Sequence, residues 1–310
     1  MKNVGGSKNK LLRRMQRDWQ IYALLFLPAL FIFIFHYMPM YGIQIAFRNF
    51  QAVRGISGSE WIGLRHFINF FNRPFWSRMV INTILLNVYG LLWSFPIPVI
   101  LALLLNQHQS KRFRAFVQTT LFAPRFISLV VLVGMLYIFF SPMNGIVNRV
   151  IEALGGSRIF FMNDPAWFRT LFIGSSIWQL AGWNAIIYLA ALSSVDVELY
   201  EAATIDGANK WHKIRHIDIP GIMPVIVMLL ILNTGNMINS SFDRALLMQT
   251  PGNMPVSSII GLYVYQRGLL GGQFSFTTAI DLMTNVINFA ILFAVNKIAQ
   301  KVGDGTNSIW

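Results

Sequence analysis

The chain has 310 residues, of which 55% are hydrophobic and only 12% charged, about half the share of charge usual in soluble domains. Apolar runs roughly 20 residues long recur along it, which excludes an ordinary soluble domain and fits repeated crossings of a hydrocarbon core. The net charge of +13 does not point to nucleic acid, because lysine and arginine lie between the apolar runs rather than in one stripe with aromatic residues; the absence of cysteine removes disulfides, thiolate metal sites and cysteine nucleophiles.

In chain order, a basic stretch (Lys2, Lys8, Lys10, Arg13, Arg14, Arg17) comes first. It leads into a full-length apolar segment with no small-residue cleavage site, so the expectation is an uncleaved membrane anchor rather than a signal peptide. Six apolar segments follow at 20–46, 79–105, 116–140, 170–192, 221–239 and 276–299. Each is long enough to span as a helix. Pro28, Pro96 and Pro98 are tolerable within such spans, whereas Pro124-Arg125 interrupts the third. The expected fold is an all-α membrane protein with a cytoplasmic segment 1–19, a six-helix transmembrane domain 20–299 and a cytoplasmic tail 300–310. Orientation follows from lysine: with the N-terminus inside, Lys2, Lys8, Lys10, Lys111, Lys210, Lys213, Lys297 and Lys301 all fall inside or at the inner end of a span. Both termini are then cytoplasmic. The outer loops near 47–78, 141–169 and 240–275 are long enough for short re-entrant or surface helices.

The inner loop 193–220 is much longer than a connector needs to be. It carries the densest acidic run of the chain: Asp196, Glu198, Glu201, Asp206 and Asp218. Residues 197–205 favour helix, Asp206-Gly207 is a turn signal, and 208–217 predict a second helix ending before Pro220. Leu199, Ala202, Ala203, Trp211 and Ile214 alternate with charges, so the pair is expected to be amphipathic, one face on the membrane domain and the other for a cytoplasmic partner.

Glu201-Ala202-Ala203, Gly207 after three intervening residues, and then Ile217 and Pro220 match EAA-x3-G-x9-I-x-L-P, with Ile219 where leucine is usual. This loop, together with LLFLPALFIFIFHYMPMYGIQIAFRNF, GSEWIGLRHFINFF, SSIWQLAGWNAIIYLAAL and the NSIW tail, resembles the binding-protein-dependent ABC importer permeases. The resemblance is to the carbohydrate-uptake, maltose-like family, in its polysaccharide or aldouronate-type branch. It implies a type I importer permease fold in a bacterial cell membrane and a non-catalytic role in oligosaccharide import. It also implies a second homologous permease, ABC ATPase subunits and an extracytoplasmic solute-binding lipoprotein. In that family the loop docks on the ATPase, which makes Glu201, Ala202, Ala203, Asp206, Gly207, Trp211, Ile217 and Pro220 the expected coupling residues. No G-x-x-x-x-G-K-[ST] loop is present, so ATP and Mg are expected on the partner ATPase, with no cofactor or metal on this chain.

The expected substrate-path residues are Gln179, Trp183, Asn184, Asn233, Asn236, Asn239 and Asp281. Amides at membrane depth are costly unless they face a cavity or one another, and amides beside aromatic rings suit sugars. The plainer roles are helix-to-helix joining for the amides and gap filling for the tryptophans. Asp281 is expected to accept a sugar hydroxyl, pair with an arginine such as Arg244, or simply sit wetted near the interface. Arg125 either lines a gate or snorkels. His212 and His216, four residues apart, lack further ligands for zinc. Two other classes compete: an ion-coupled secondary transporter, which would want more carboxylates at mid-span, and a membrane-embedded glycan or lipid enzyme, which would want clustered acids or histidines at one interface. Among importers, a non-sugar solute is the alternative.

Overall fold

The computed structural model describes residues 17–235 and 242–302. Four unbroken apolar helices are long enough to cross a membrane: α1 (Trp19–Phe47), α3 (Trp76–Asn106), α9 (Lys210–Gly235) and α13 (Phe274–Lys301). Two bent helix pairs are long and apolar enough when each is taken together. The first joins α4 (Lys111–Phe126) to α5 (Leu129–Phe139) at 98°, and the second joins α7 (Pro165–Ser193) to the short α8 (Val197–Ile205) at 74°. Counting each bent pair as one, the helices cover the six segments expected from sequence, and the third is broken.

The break follows from local chemistry. Pro124 lies in a tight 3-10 turn, Ala123–Phe126, that closes α4, and Ser128 then caps α5 by accepting from Val131 N–H at 3.3 Å. The carbonyl of Ile127, freed by the break, accepts from Gln179 Nε2 at 2.8 Å. α4 crosses α7 at Gly182, where a Cβ would meet Leu121 O at 2.1 Å. Only glycine allows that backbone approach.

The loops near 47–78, 141–169 and 240–275 hold the expected short helices: α2 (Arg65–Phe71), α6 (Ile146–Ala153), α10 (Phe242–Met248), α11 (Met254–Ser257) and α12 (Ile260–Val264). They also hold a small antiparallel hairpin, β1 (Arg48–Gln51) on β2 (Ser59–Trp61), that an all-helical expectation did not include. Arg48 secures it by donating to Ser59 O at 2.8 Å while lying over the Trp61 ring. Asn148, almost fully buried, ties the loop after α5 together by donating to Ser141 O and Ile159 O and accepting from Ile159 N–H at 2.8 Å.

Two apolar clusters build the bundle. Leu86, Val133, Phe168, Phe172 and Met248 fill the half that includes α10 and α12; Ala102, Leu103, Ala185, Tyr188 and Ile222 fill the other half. α1 stands at the periphery, its apolar stretch unburied within the chain and its final turns packed on α13. Such a helix is apolar all round because lipid or another subunit covers it.

α9 departs from expectation. The second helix of the 193–220 loop does not end before Pro220 but runs on as the span itself. The reason is the wide π turn Ile214–Asp218 just ahead of the proline, which shifts the hydrogen-bond register and makes room for the ring.

Candidate functional site

At one end of the bundle, α8 and the start of α9 form an elbow. Asp196 caps α8 by accepting from Glu198 N–H at 3.0 Å, and Asn209 caps α9 by accepting from His212 N–H at 2.9 Å. Between them the chain closes in a Schellman turn: Ala208 N–H reaches Ala203 O at 2.8 Å and Gly207 N–H reaches Thr204 O at 3.1 Å. This geometry needs a left-handed residue, and Gly207 has φ +73° with open space around its Cα. Glycine is therefore required for backbone conformation and not for room, at about 1 kcal/mol for any residue with a Cβ.

The elbow's apolar residues do not all turn inward as the amphipathic reading expected. Tyr200, Ala203, Ile214 and Ile217 are partly buried against the bundle. Leu199 and Trp211 are exposed, with Val197 and Ile205, at 53%, 64%, 65% and 87%. Glu201, Ala202, Asp206 and Pro220 are exposed alongside them. These exposed apolar side chains, interspersed with charge, are not covered by the bundle.

Beneath the elbow lies a residue the sequence placed only among the loop acids. Asp218 is 0% exposed. It accepts from Asn106 Nδ2 at 3.2 Å, from Gln107 Nε2 at 2.6 Å and from the Tyr200 hydroxyl. One carboxylate thus joins α8, the C-terminal end of α3 and the start of α9. Burial, and then Asp218, push the Tyr200 phenol up to about 12. A raised phenol pKa stabilises the fold fully below pH 10 and loses that contribution only toward pH 12, so Tyr200 stays a donor throughout the physiological range.

A cavity of about 380 Å³ opens between the two apolar clusters. Its wall includes Asn184, Asn233, Ser94, Asn87, Asp243 and Arg244. Of the residues expected along a substrate path, Asn184 and Asn233 do line it. The others differ. Gln179 is buried behind the wall, bridging Ile127 O and the Arg244 guanidinium. Trp183 is exposed, edge-on to Phe126 and under Arg125 at 5.9 Å, so this arginine rests on the ring instead of reaching the cavity. Asp281 borders a separate open groove with Tyr265, Thr277 and Asn285, and forms no ion pair with Arg244 among the described residues. Asn236 and Asn239 lie outside the described residues. His216 Nδ1 bonds the His212 carbonyl at 3.1 Å, and among the described residues no third ligand joins the pair.

The comparisons with known proteins agree with this geometry. Residues 76–304 match the family described as binding-protein-dependent transport system inner membrane component. The polygalacturonan/rhamnogalacturonan transport system permease protein YteP of Bacillus subtilis (strain 168) is 38% identical over 297 residues, covering 96% of this chain and 92% of that one. Protein LplB of the same organism is 39% identical over 287 residues, covering 93% and 90%. Among solved structures, a bacterial ABC transporter involved in the import of the acidic polysaccharide alginate superposes with TM-score 0.88 at 35% identity, covering 95% of this chain and 99% of that one. A second, of an alginate ABC transporter in complex with alginate pentasaccharide-bound periplasmic protein, gives TM-score 0.88 at 34% identity, covering 96% and 99%. With fold, elbow and family in agreement, this chain belongs to the inner membrane components of binding-protein-dependent transport systems, a permease that crosses the membrane several times.

Proposed function

We propose that this chain is one permease of an ATP-driven importer of oligosaccharides, working beside a second homologous permease and fed by an extracytoplasmic solute-binding protein. A separate ATPase binds ATP and Mg, docks on the elbow and pulls it. The observation that carries this reading is the elbow itself: two capped helices held at a fixed angle by Gly207, presenting Val197, Leu199, Ile205 and Trp211 outward. The end that bears the elbow is then cytoplasmic, in keeping with the distribution of lysine.

ATP binding closes the ATPase pair and moves the two elbows together. Asp218 passes the displacement of α8 directly to α3 and α9, whose outer portions wall the cavity. The spans tilt as rigid bodies, and the cavity opens alternately to either side. Asn184 and Asn233 supply amide donors and acceptors to sugar hydroxyls there. The relatives named for polygalacturonan and rhamnogalacturonan uptake, and the alginate importer, support a carbohydrate cargo over a peptide or polyol.

The test is to tag the chain, purify it gently from its own membrane, identify what accompanies it, and assay ATP hydrolysis with binding protein and a panel of oligosaccharides. Recovery of an ATPase and a second permease, with hydrolysis stimulated by sugar, is the expected result. A chain that purifies alone and takes up solute under an imposed ion gradient contradicts it.

A further inference from the structure

We infer that the cavity selects an anionic sugar, a hexuronate, and that Arg244 is the residue that receives its carboxylate. This rests on the importer reading above and narrows its substrate class.

Arg244, on α10, is only 8% exposed, yet it forms part of the cavity wall. Its Nη1 donates to Ser175 Oγ and its Nη2 to Gln179 Oε1, both at 2.8 Å, and its guanidinium lies 5.9 Å from the Phe172 ring centre. Every one of these partners is neutral. A buried cation ordinarily has an anion beside it, because taking the charge out of water is expensive. Among the described residues the ion pairs are Arg17–Asp18 and Glu152–Arg158, neither involving this side chain. The neighbouring segment 236–241 (Asn-Met-Ile-Asn-Ser-Ser) contains no acid. Asp243 also lines the cavity, but it is exposed to solvent and does not pair with Arg244.

The arrangement therefore holds an oriented positive charge with no ion pair among the described residues. Ser175 and Gln179 occupy two of the five guanidinium N–H groups and lock its plane. The remaining donors keep the planar fork that matches a carboxylate. The cavity volume, about 380 Å³, lies within the range of small-molecule sites, ~300–1,000 Å³. Around the guanidinium the wall supplies further polar groups: Asn184, Asn233 and the Ser94 hydroxyl, which has no hydrogen-bond partner among the described residues. A sugar acid uses both halves of such a site, its carboxylate on Arg244 and its hydroxyls on the amides. A neutral sugar leaves the cation unanswered.

The experiment uses the whole complex, reconstituted in liposomes with its binding protein. It is offered labelled tetragalacturonate and the neutral tetrasaccharide made by reducing the same carboxyls to alcohols. Arg244→Gln is expected to lower the ratio of acid to neutral uptake by about 10- to 100-fold, the loss of a charge-assisted hydrogen-bond pair. Arg244→Lys, which keeps the charge but not the fork, is expected to lower it less. An unchanged ratio in Arg244→Gln overturns the inference, as does a wild type that prefers the neutral sugar. If the wild type carries only the acid, equal loss in the Gln and Lys variants overturns it, and partial rescue by lysine supports it. A wild type that takes up neither sugar overturns it too; the importer reading itself falls only if, in addition, no oligosaccharide stimulates ATP hydrolysis.

Discussion

Asp218→Ala is expected to uncouple the protein: sugar-stimulated ATP hydrolysis in the assembled complex should fall roughly tenfold or more, about 1.4 kcal/mol of lost coupling. Asp218 is fully buried and is the one acceptor shared by Asn106, Gln107 and Tyr200. Alanine removes that acceptor and leaves three partly buried donors without it. Breaking a buried charged network in this way costs about 3 kcal/mol, enough to loosen α8 from α3 and α9. Asp218→Asn keeps the shape and one acceptor oxygen, and the Gln107 amide can turn to accept from the new NH2, so the loss should be smaller than in Asp218→Ala. Tyr200→Phe removes one bond of the three and should have the mildest effect. The measurement is stimulated hydrolysis beside a thermal melt of the complex. Full coupling in Asp218→Ala would mean that the elbow moves without this joint.

The second large effect is expected at the docking face. Ile205 and Trp211 are 87% and 64% exposed, and neither is held by the bundle. Ile205→Glu with Trp211→Ala should leave the membrane domain folded and weaken retention of the ATPase by roughly 30-fold or more, because an anchoring aromatic at an interface is worth about 2 kcal/mol or more. Pull-down of the ATPase on the tagged permease reads this directly, and near-normal expression and melting confirm that the fold persists. ATPase recovered in wild-type amounts would place its contact elsewhere on the chain.

Features built from neighbours in sequence were readable in advance. The turn at Gly207 is closed by Ala203, Thr204 and Ala208, all within five residues, so Asp-Gly between two helical stretches announces it. The six spans are equally local, since each is a run of apolar residues. Asp218 was legible only as one more loop acid, because Asn106 and Gln107 lie 112 and 111 positions away. Arg244 was legible only as a candidate partner for Asp281, because Ser175 and Gln179 lie 69 and 65 positions away. The same distance problem reversed the meaning of Gln179, which serves Arg244 and the Ile127 carbonyl from behind the wall. Pro124 signalled an interruption in the third span, but the bend of 98° is fixed by the Ser128 cap and the Gln179 bond, which no single segment contains. The continuation of α9 through Pro220 depends on the π turn before it, and a widened turn leaves no compositional mark.

The elbow is expected to be cytoplasmic and covered by an ATPase. The chain has no cysteine, so a single introduced thiol reports its own position. We would label Ile205→Cys and Val53→Cys separately with a membrane-impermeant maleimide, in right-side-out and inside-out vesicles, with and without the ATPase. Val53, in the outer hairpin region, is 100% exposed and serves as the opposite marker. Val53→Cys is expected to react only from outside and Ile205→Cys only from inside, with the ATPase protecting Ile205→Cys. Reaction of Ile205→Cys from outside, or at the same rate with and without the ATPase, would contradict this expectation.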